Sequence, residues 1–425
     1  MKKQYLKSIC KLCGAALSLA LLAFNYTSPM SSIRNLPEDV HILAGEQYQL
    51  PISLPSPFTL ASTQEDALQV SHQGDQTLAE VTGKSDMDEV ALCVNLFGIP
   101  LKQVNVHVRN SIQLVPGGTS IGVTLHTKGA LVVGISSVET DAGEISPAAV
   151  AGIQAGDVIE AANGTQIKSA AHLAQICNHS KDSLELTIQR GGKVIKATLH
   201  PVLDPSDQQY RMGMWVRDST AGVGTLSFFD PECGWYAALG HAVMDVDTRS
   251  NLTVREGEIV QSTIVDIVQG TQGEPGELRG TFNSSSLPLG TIEANGDYGI
   301  YGKMYQEYHN ILYPNGLPMA YPEEIQEGPA QILTTLNDEG VAAYSCEIIK
   351  LNSQNAPSPK GMVVQITDKK LLATTGGIVQ GMSGSPLVQN GKLIGVVTHV
   401  FINDPTKGYC MYAQWMQEQI LDLAG

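Results

Sequence analysis

Gly381-Met382-Ser383-Gly384-Ser385-Pro386-Leu387-Val388 is the stretch on which the fold turns. Glycine on either side of Ser383 lets the backbone fold tightly, so that the N–H groups of Gly381 and Ser383 converge where an oxyanion would sit. Pro386 then directs the chain into a strand at Leu387-Val388. After it, Gly391-Lys392-Leu393-Ile394-Gly395-Val396-Val397-Thr398 reads as a turn and a buried strand. Ser385 is the rival nucleophile in the motif; position favours Ser383.

A serine nucleophile needs a base. His41, His72, His179 and His309 stand singly in polar or linker sequence. His241 differs, because it follows the apolar run Trp235-Tyr236-Ala237-Ala238-Leu239-Gly240. His399 lies beyond the strand that follows the serine and reads as a pocket or core residue. A carboxylate should orient the imidazole. Asp368, at the end of Gln365-Ile366-Thr367, is the choice, with Asp245, Asp247, Asp266 and Asp297 open as rivals.

The serine segment resembles the GxSGxP motif of trypsin-like serine peptidases. Leu239-Gly240-His241 resembles the Gly-His step that places their histidine between two barrels, and the order His before Ser is theirs. In that class the strand after the serine forms a wall of the primary specificity pocket. Residues 204–425 support the resemblance with short apolar strands broken by glycine, such as Gly222–Phe228, Ile264–Val268 and Gly361–Ile366. Helical periodicity is confined to Ala413–Leu423.

Residues 111–203 form a separate unit. Ser146-Pro147-Ala148-Ala149-Val150-Ala151-Gly152-Ile153, with Gly156-Asp157-Val158-Ile159 and Asn163-Gly164, resembles the PDZ domains of exported bacterial proteases. Pro147 suits the first turn of a short helix, with Ser146 as its N-cap and Gly152 as its end. Asn163-Gly164 is a hairpin turn. A second helix from Ser169 to about Asn178 and a strand at Leu184–Ile188 follow. The resemblance makes Ile121-Gly122-Val123 the loop whose N–H groups receive a peptide end.

Lys2, Lys3, Lys7 and Lys11 flank the uncharged run Leu12–Phe24. Those 13 residues suit a signal peptide or a short anchor better than the roughly 20 of a comfortable membrane span. Residues 1–33 are therefore an export segment, and residues 34–110, with alternating runs such as Val104–Val108, a small β domain or linker. A formal net charge of −16 excludes phosphate backbones as partners. No nucleotide or metal motif is present, so no cofactor and no metal are expected. Five scattered cysteines (Cys93, Cys177, Cys233, Cys346, Cys410) give no disulfide framework.

The expected architecture is thus mainly β: an N-terminal β segment, a PDZ domain, and a trypsin-like double β-barrel over 204–425. Together with Arg217–Leu226, Gly290-Thr291-Ile292 and Gly299-Ile300-Tyr301-Gly302, it resembles the stage IV sporulation protein B family of serine peptidases. That resemblance puts the triad on His241, Asp368 and Ser383. It implies export across the inner forespore membrane and cleavage of a membrane-associated regulator in the space beyond. An intramembrane protease would then be activated and sigma-K processed. It further implies self-cleavage and binding of peptide ends through the PDZ domain. A general envelope quality-control protease and a non-catalytic PDZ adaptor are the alternatives.

Overall fold

A computed structural model describes residues 27–34, 36, 38–43, 47–49, 58–62, 68–73 and 76–82. From 89 onward it describes all residues except 246, 249–250, 253, 283–286 and 355. The export segment expected over 1–33 lies mostly outside the described residues. Among those described, no helix is long and apolar enough to cross a membrane.

The chain divides into two compact units, Met1–Ile112 and Gln113–Gly425. In the first, four strands order as Asp39–Leu43, Ile99–Arg109, Glu89–Leu96 and Phe58–Ser62. Leu92, Val94, Val104 and Val106 form its core. The alternation of apolar and polar residues along these strands buries one face and leaves the other wet.

The second unit is built on two long strands, β1 (Ser120–Ile135) and a partner, β4 (Met214–Asp230). Between them in sequence lie β2 (Val158–Ala162), helix α1 (Ala170–Ser180) and β3 (Leu184–Arg190). Strands β1 and β4 pair antiparallel from Met214–Ile135 to Thr225–Ser120. The far half of this ribbon joins β2 and β3, and its near half joins β5 (Trp235–Ala238), β6 (Val254–Gln261) and β7 (Gly299–Lys303). One 13-stranded sheet results.

The two halves feed two cores. Ile121, Val123 and Leu125 of β1 pack with Leu226, Tyr236 and Ile300. Ala130 and Val132 of the same strand pack with Ile159, Leu173 and Leu186. Inward residues are odd-numbered in the first half and even-numbered in the second, so the strand must change face between them. A bulge does this. From the Leu131–Arg217 pair to the His126–Ser219 pair, β1 takes five steps to β4's two. Gly129 sits in that bulge at φ +91, where a Cβ would meet the Ile159 carbonyl oxygen at 2.4 Å.

Residues 328–412 make a closed six-stranded barrel. Its strands are β8 (Gly328–Thr335), β9 (Val341–Leu351), β10 (Met362–Ile366), β11 (Pro386–Gln389), β12 (Lys392–Val400) and β13 (Lys407–Tyr412), in the order β8-β9-β10-β13-β12-β11. Helix α2 (Lys369–Thr375) follows β10, and α3 (Ala413–Ala424) closes the chain. The mainly β reading holds, with one amendment. The second barrel is closed, whereas the first is a half-barrel, because two of its strands run on into the sheet of the inserted unit.

Two expectations are corrected. The peptidase fold does not start near 204: β1 contributes residues 120–127 to the half-barrel, and the PDZ-like unit is inserted between β1 and β4. Ile121-Gly122-Val123 is not a peptide-receiving loop. It is buried strand, paired with Gly222–Gly224 of β4 on one edge and with Ile259–Gln261 of β6 on the other, so its N–H groups face no open edge. In the inserted unit, Ser146 precedes the short helix as expected but its hydroxyl donates to the Ser136 carbonyl rather than capping. The Asn163-Gly164 turn has the positive φ at both residues that a tight hairpin requires.

Gly122 lies flat under the Phe282 ring, which a Cβ would meet at 2.4 Å. Gly122→Ala is therefore expected to destabilise the peptidase half-barrel by about 1–3 kcal/mol through overpacking. Thermal unfolding should show the loss, with activity on small-ester and protein substrates falling together. Loss confined to the protein substrate would contradict this placement.

Candidate active site

The half-barrel and the closed barrel meet at Ser383. Thr225 of β4 donates its N–H to the Ser383 carbonyl at 3.2 Å and its hydroxyl to the Gly381 carbonyl at 2.7 Å. Gly384 allows the approach: a Cβ there would lie 2.3 Å from the Thr225 carbonyl oxygen. Around the turn, Gln380, Met382, Gly384 and Ser385 each donate their N–H to a carbonyl. Among the described bonds, the N–H groups of Gly381 and Ser383 donate to nothing, as an oxyanion site requires. Ser385 is fully buried and its hydroxyl has no partner, which removes it as a nucleophile.

Ser383 and His241 line one cleft of about 520 Å³, with Val123 of β1, Thr220–Val223 of β4 and Met244. The cleft wall is mostly apolar and carries no carboxylate. His241 Nδ1 lies 2.9 Å from the Ala242 carbonyl. A carbonyl only accepts, so Nδ1 carries the proton there, and Nε2 is left as the basic nitrogen. The Ser383 hydroxyl donates to the Thr398 carbonyl at 3.1 Å and must rotate away from it to meet the base.

Asp368 is not brought to His241. Its carboxylate caps α2, accepting Lys370 N–H at 2.9 Å and Leu371 N–H at 3.0 Å. It lies two residues past the end of β10 and five beyond Val363, the partner of Tyr409, which in turn pairs His399. At about 3.3 Å per residue that is roughly 16 Å along the barrel from the active-site end. A strand-end aspartate before a helical run is an N-cap in sequence too, and that reading wins.

The rival carboxylates are also engaged elsewhere. Asp266 pairs Arg279, and Asp297 accepts from Asn251. Asp245 is buried four residues after His241. Burial would raise its pKa. The Thr248 N–H and hydroxyl, the Asp247 N–H and the Arg217 guanidinium outweigh this and hold it below the ordinary value. Arg217 reaches both Asp245, at 2.8 Å, and Asp247, at 2.9 Å. These carboxylates fasten the loop after His241 to β4 without touching the imidazole. The ring that does lie against His241 is His399, with centroids 5.7 Å apart.

The structure brings the two residues paired from sequence, Ser383 and His241, into one cleft; Arg217 and the placing of His399 beside His241 were not foreseen. The available signal was that His399 directly follows the buried run 393–398 packed behind the serine. The capping role of Asp368 leads to a clear expectation. Asp368→Asn, which keeps a capping side chain, should leave kcat/KM within about threefold, and Asp368→Ala should cost about 1 kcal/mol of stability. A fall of a hundredfold or more in kcat/KM for the asparagine variant, with Tm unchanged, would restore the triad assignment.

Comparison with known proteins bears on the same region. Residues 208–417 match the family model described as SpoIVB peptidase S55, and residues 140–190 match a PDZ domain model. No curated protein matches the chain. Among solved structures, the chain is similar to Rv3671c from M. tuberculosis H37Rv, a serine-to-alanine mutant in an inactive form. The likeness is 14% identity over 47% of this chain and 80% of that one, with a TM-score of 0.25, too low to inform the fold. Over residues 208–417 the chain belongs to the SpoIVB peptidase S55 family and is a serine peptidase, with a PDZ domain inserted in its fold.

Proposed function

We propose that the chain is a serine endopeptidase of sporulation signalling, with Ser383 as nucleophile, His241 as base and the Gly381 and Ser383 N–H groups as oxyanion donors. The observation that carries this is the single cleft lined by Ser383 and His241, at a turn whose two donors are held free. His241 Nε2 takes the Ser383 proton as Oγ attacks the scissile carbonyl, and later returns it to the leaving amine. The apolar wall of Val123, Leu239, Val243 and Met244 suits apolar side chains beside the scissile bond. The family supports a substrate that is a membrane-associated regulator, with self-cleavage. The basic flank and apolar run at the N-terminus support export across the inner forespore membrane.

Peptide ends are assigned to the far half of β4. Residues 214–217 pair only with β1 among the described strands, and α1 packs against β4. The Asp218 carboxylate accepts the Ala170 N–H at 2.8 Å, which fixes the start of α1 beside β4. An extended peptide would add there as a strand.

Ser383→Ala and His241→Ala should each lower cleavage of a co-expressed membrane regulator, and self-cleavage, by 10³-fold or more, while Ser385→Ala keeps its nucleophile. Binding of that regulator with no cleavage by the parent chain would instead show a PDZ adaptor. Loss in Ser385→Ala alone would move the nucleophile.

A further inference from the structure

Within the serine-peptidase reading above, the site lacks the group that usually stabilises a charged catalytic imidazole. No carboxylate lines the cleft, and the five sequence candidates are engaged elsewhere. As His241 takes the Ser383 proton it becomes a cation, and only the Ala242 carbonyl is shown bonded to it. His399 supplies the missing neighbour. It stands at the open end of β12, where the pairing with β13 shifts register between Val397 and His399. Such a bulge re-aims a side chain. The residue before it, Thr398, is locked: its hydroxyl donates to the Pro359 and Tyr409 carbonyls, and its own carbonyl holds the Ser383 hydroxyl. One bulge thus places a contact to the nucleophile and a ring against the base on consecutive residues.

We propose that His399 is the positioning residue of this peptidase, a neutral imidazole that orients His241 and stabilises its charged form, in the place the sequence assigns to Asp368. No proton passes to His399. The Oγ–C bond forms, the Ser383 proton moves to His241 Nε2, and the neutral His399 ring lies beside the cation so formed, with centroids 5.7 Å apart. That works only while His399 is uncharged. The groups facing it are His241 from the loop after β5, the Lys360 ammonium from the segment before β10, and the Tyr409 ring, which pairs it from β13 and lies 4.9 Å from that ammonium. Desolvation lowers the pKa of His399 first, and the charges of His241 and Lys360 lower it further. With its pKa depressed, His399 takes up its proton at lower pH than an ordinary histidine does.

This separates two pH profiles. If only His241 must be neutral, kcat/KM falls with a limiting slope of one in acid. If His399 must be neutral as well, the slope reaches two. The test uses the full chain and its His399→Ala, His399→Gln, His241→Ala and Ser383→Ala variants, assayed on an apolar p-nitrophenyl ester and for fluorophosphonate labelling between pH 5 and 9. The His399 side chain keeps contact with solvent, so both His399 variants are expected to fold with unchanged Tm. The expected result is an acid slope of two in the parent and of one in both His399 variants. Their kcat should fall by about 10²-fold with KM within threefold, and labelling should slow in parallel. Either His399 variant within twofold of the parent kcat, or a slope of two persisting in both, overturns the proposal. Ester turnover or labelling that survives Ser383→Ala at the parent's rate would overturn the reading of the site itself, and this inference with it.

Discussion

The antiparallel pairing of β1 with β4 is the interaction on which the second unit rests. It runs from Met214–Ile135 to Thr225–Ser120 and carries the inserted unit at one end and the cleft at the other. Thr220–Val223 of β4 line the cleft, and Met214 and Val216 pack against the core of the inserted unit. Backbone hydrogen bonds between two such long strands are expensive to leave unmade. The inserted unit is therefore joined to the peptidase by two strands of one sheet, rather than by a flexible linker of the kind that usually separates domains.

The crossing point is a pair of consecutive residues. Arg217 reaches Asp245 and Asp247 in the loop after His241, while Asp218 holds the first turn of α1. Arg255 of β6 donates to the Lys168 carbonyl, a second tie between the peptidase sheet and the start of α1. Asp245 has the strongest individual anchor here, since a buried carboxylate with two backbone N–H donors, a hydroxyl and a guanidinium leaves no oxygen unpaired. The His241 loop and the peptide-side helix thus hang from adjacent positions on one strand.

How far the sequence could be read follows from how local each feature is. The glycine-flanked turn at Ser383, the Gly-His step at His241, the Asn163-Gly164 hairpin and α3 depend on neighbours in the chain, and each was legible. The face change in β1 was not. Residues 120–135 contain a local bulge at 127–130, and without the partner strand its first half resembles a PDZ loop. The third group at the site was equally hidden. Asp368 sits at the right distance in sequence, but its nearest demand is local, the open N–H groups of α2. The ring that meets His241 comes from across the barrel interface, through a bulge that only the β12–β13 register reveals.

The central claim is that the peptidase fold begins at Gln113 and encloses the PDZ domain. It is tested by comparing two fragments, 113–425 and 204–425, for cooperative thermal unfolding and for cleavage activity. The account predicts that 113–425 unfolds in a cooperative transition and is active. The shorter fragment, lacking β1 and with the edges of β4 and β6 that β1 covers exposed, should fail on both counts. A 204–425 fragment that unfolds cooperatively with activity equal to that of 113–425 would contradict it.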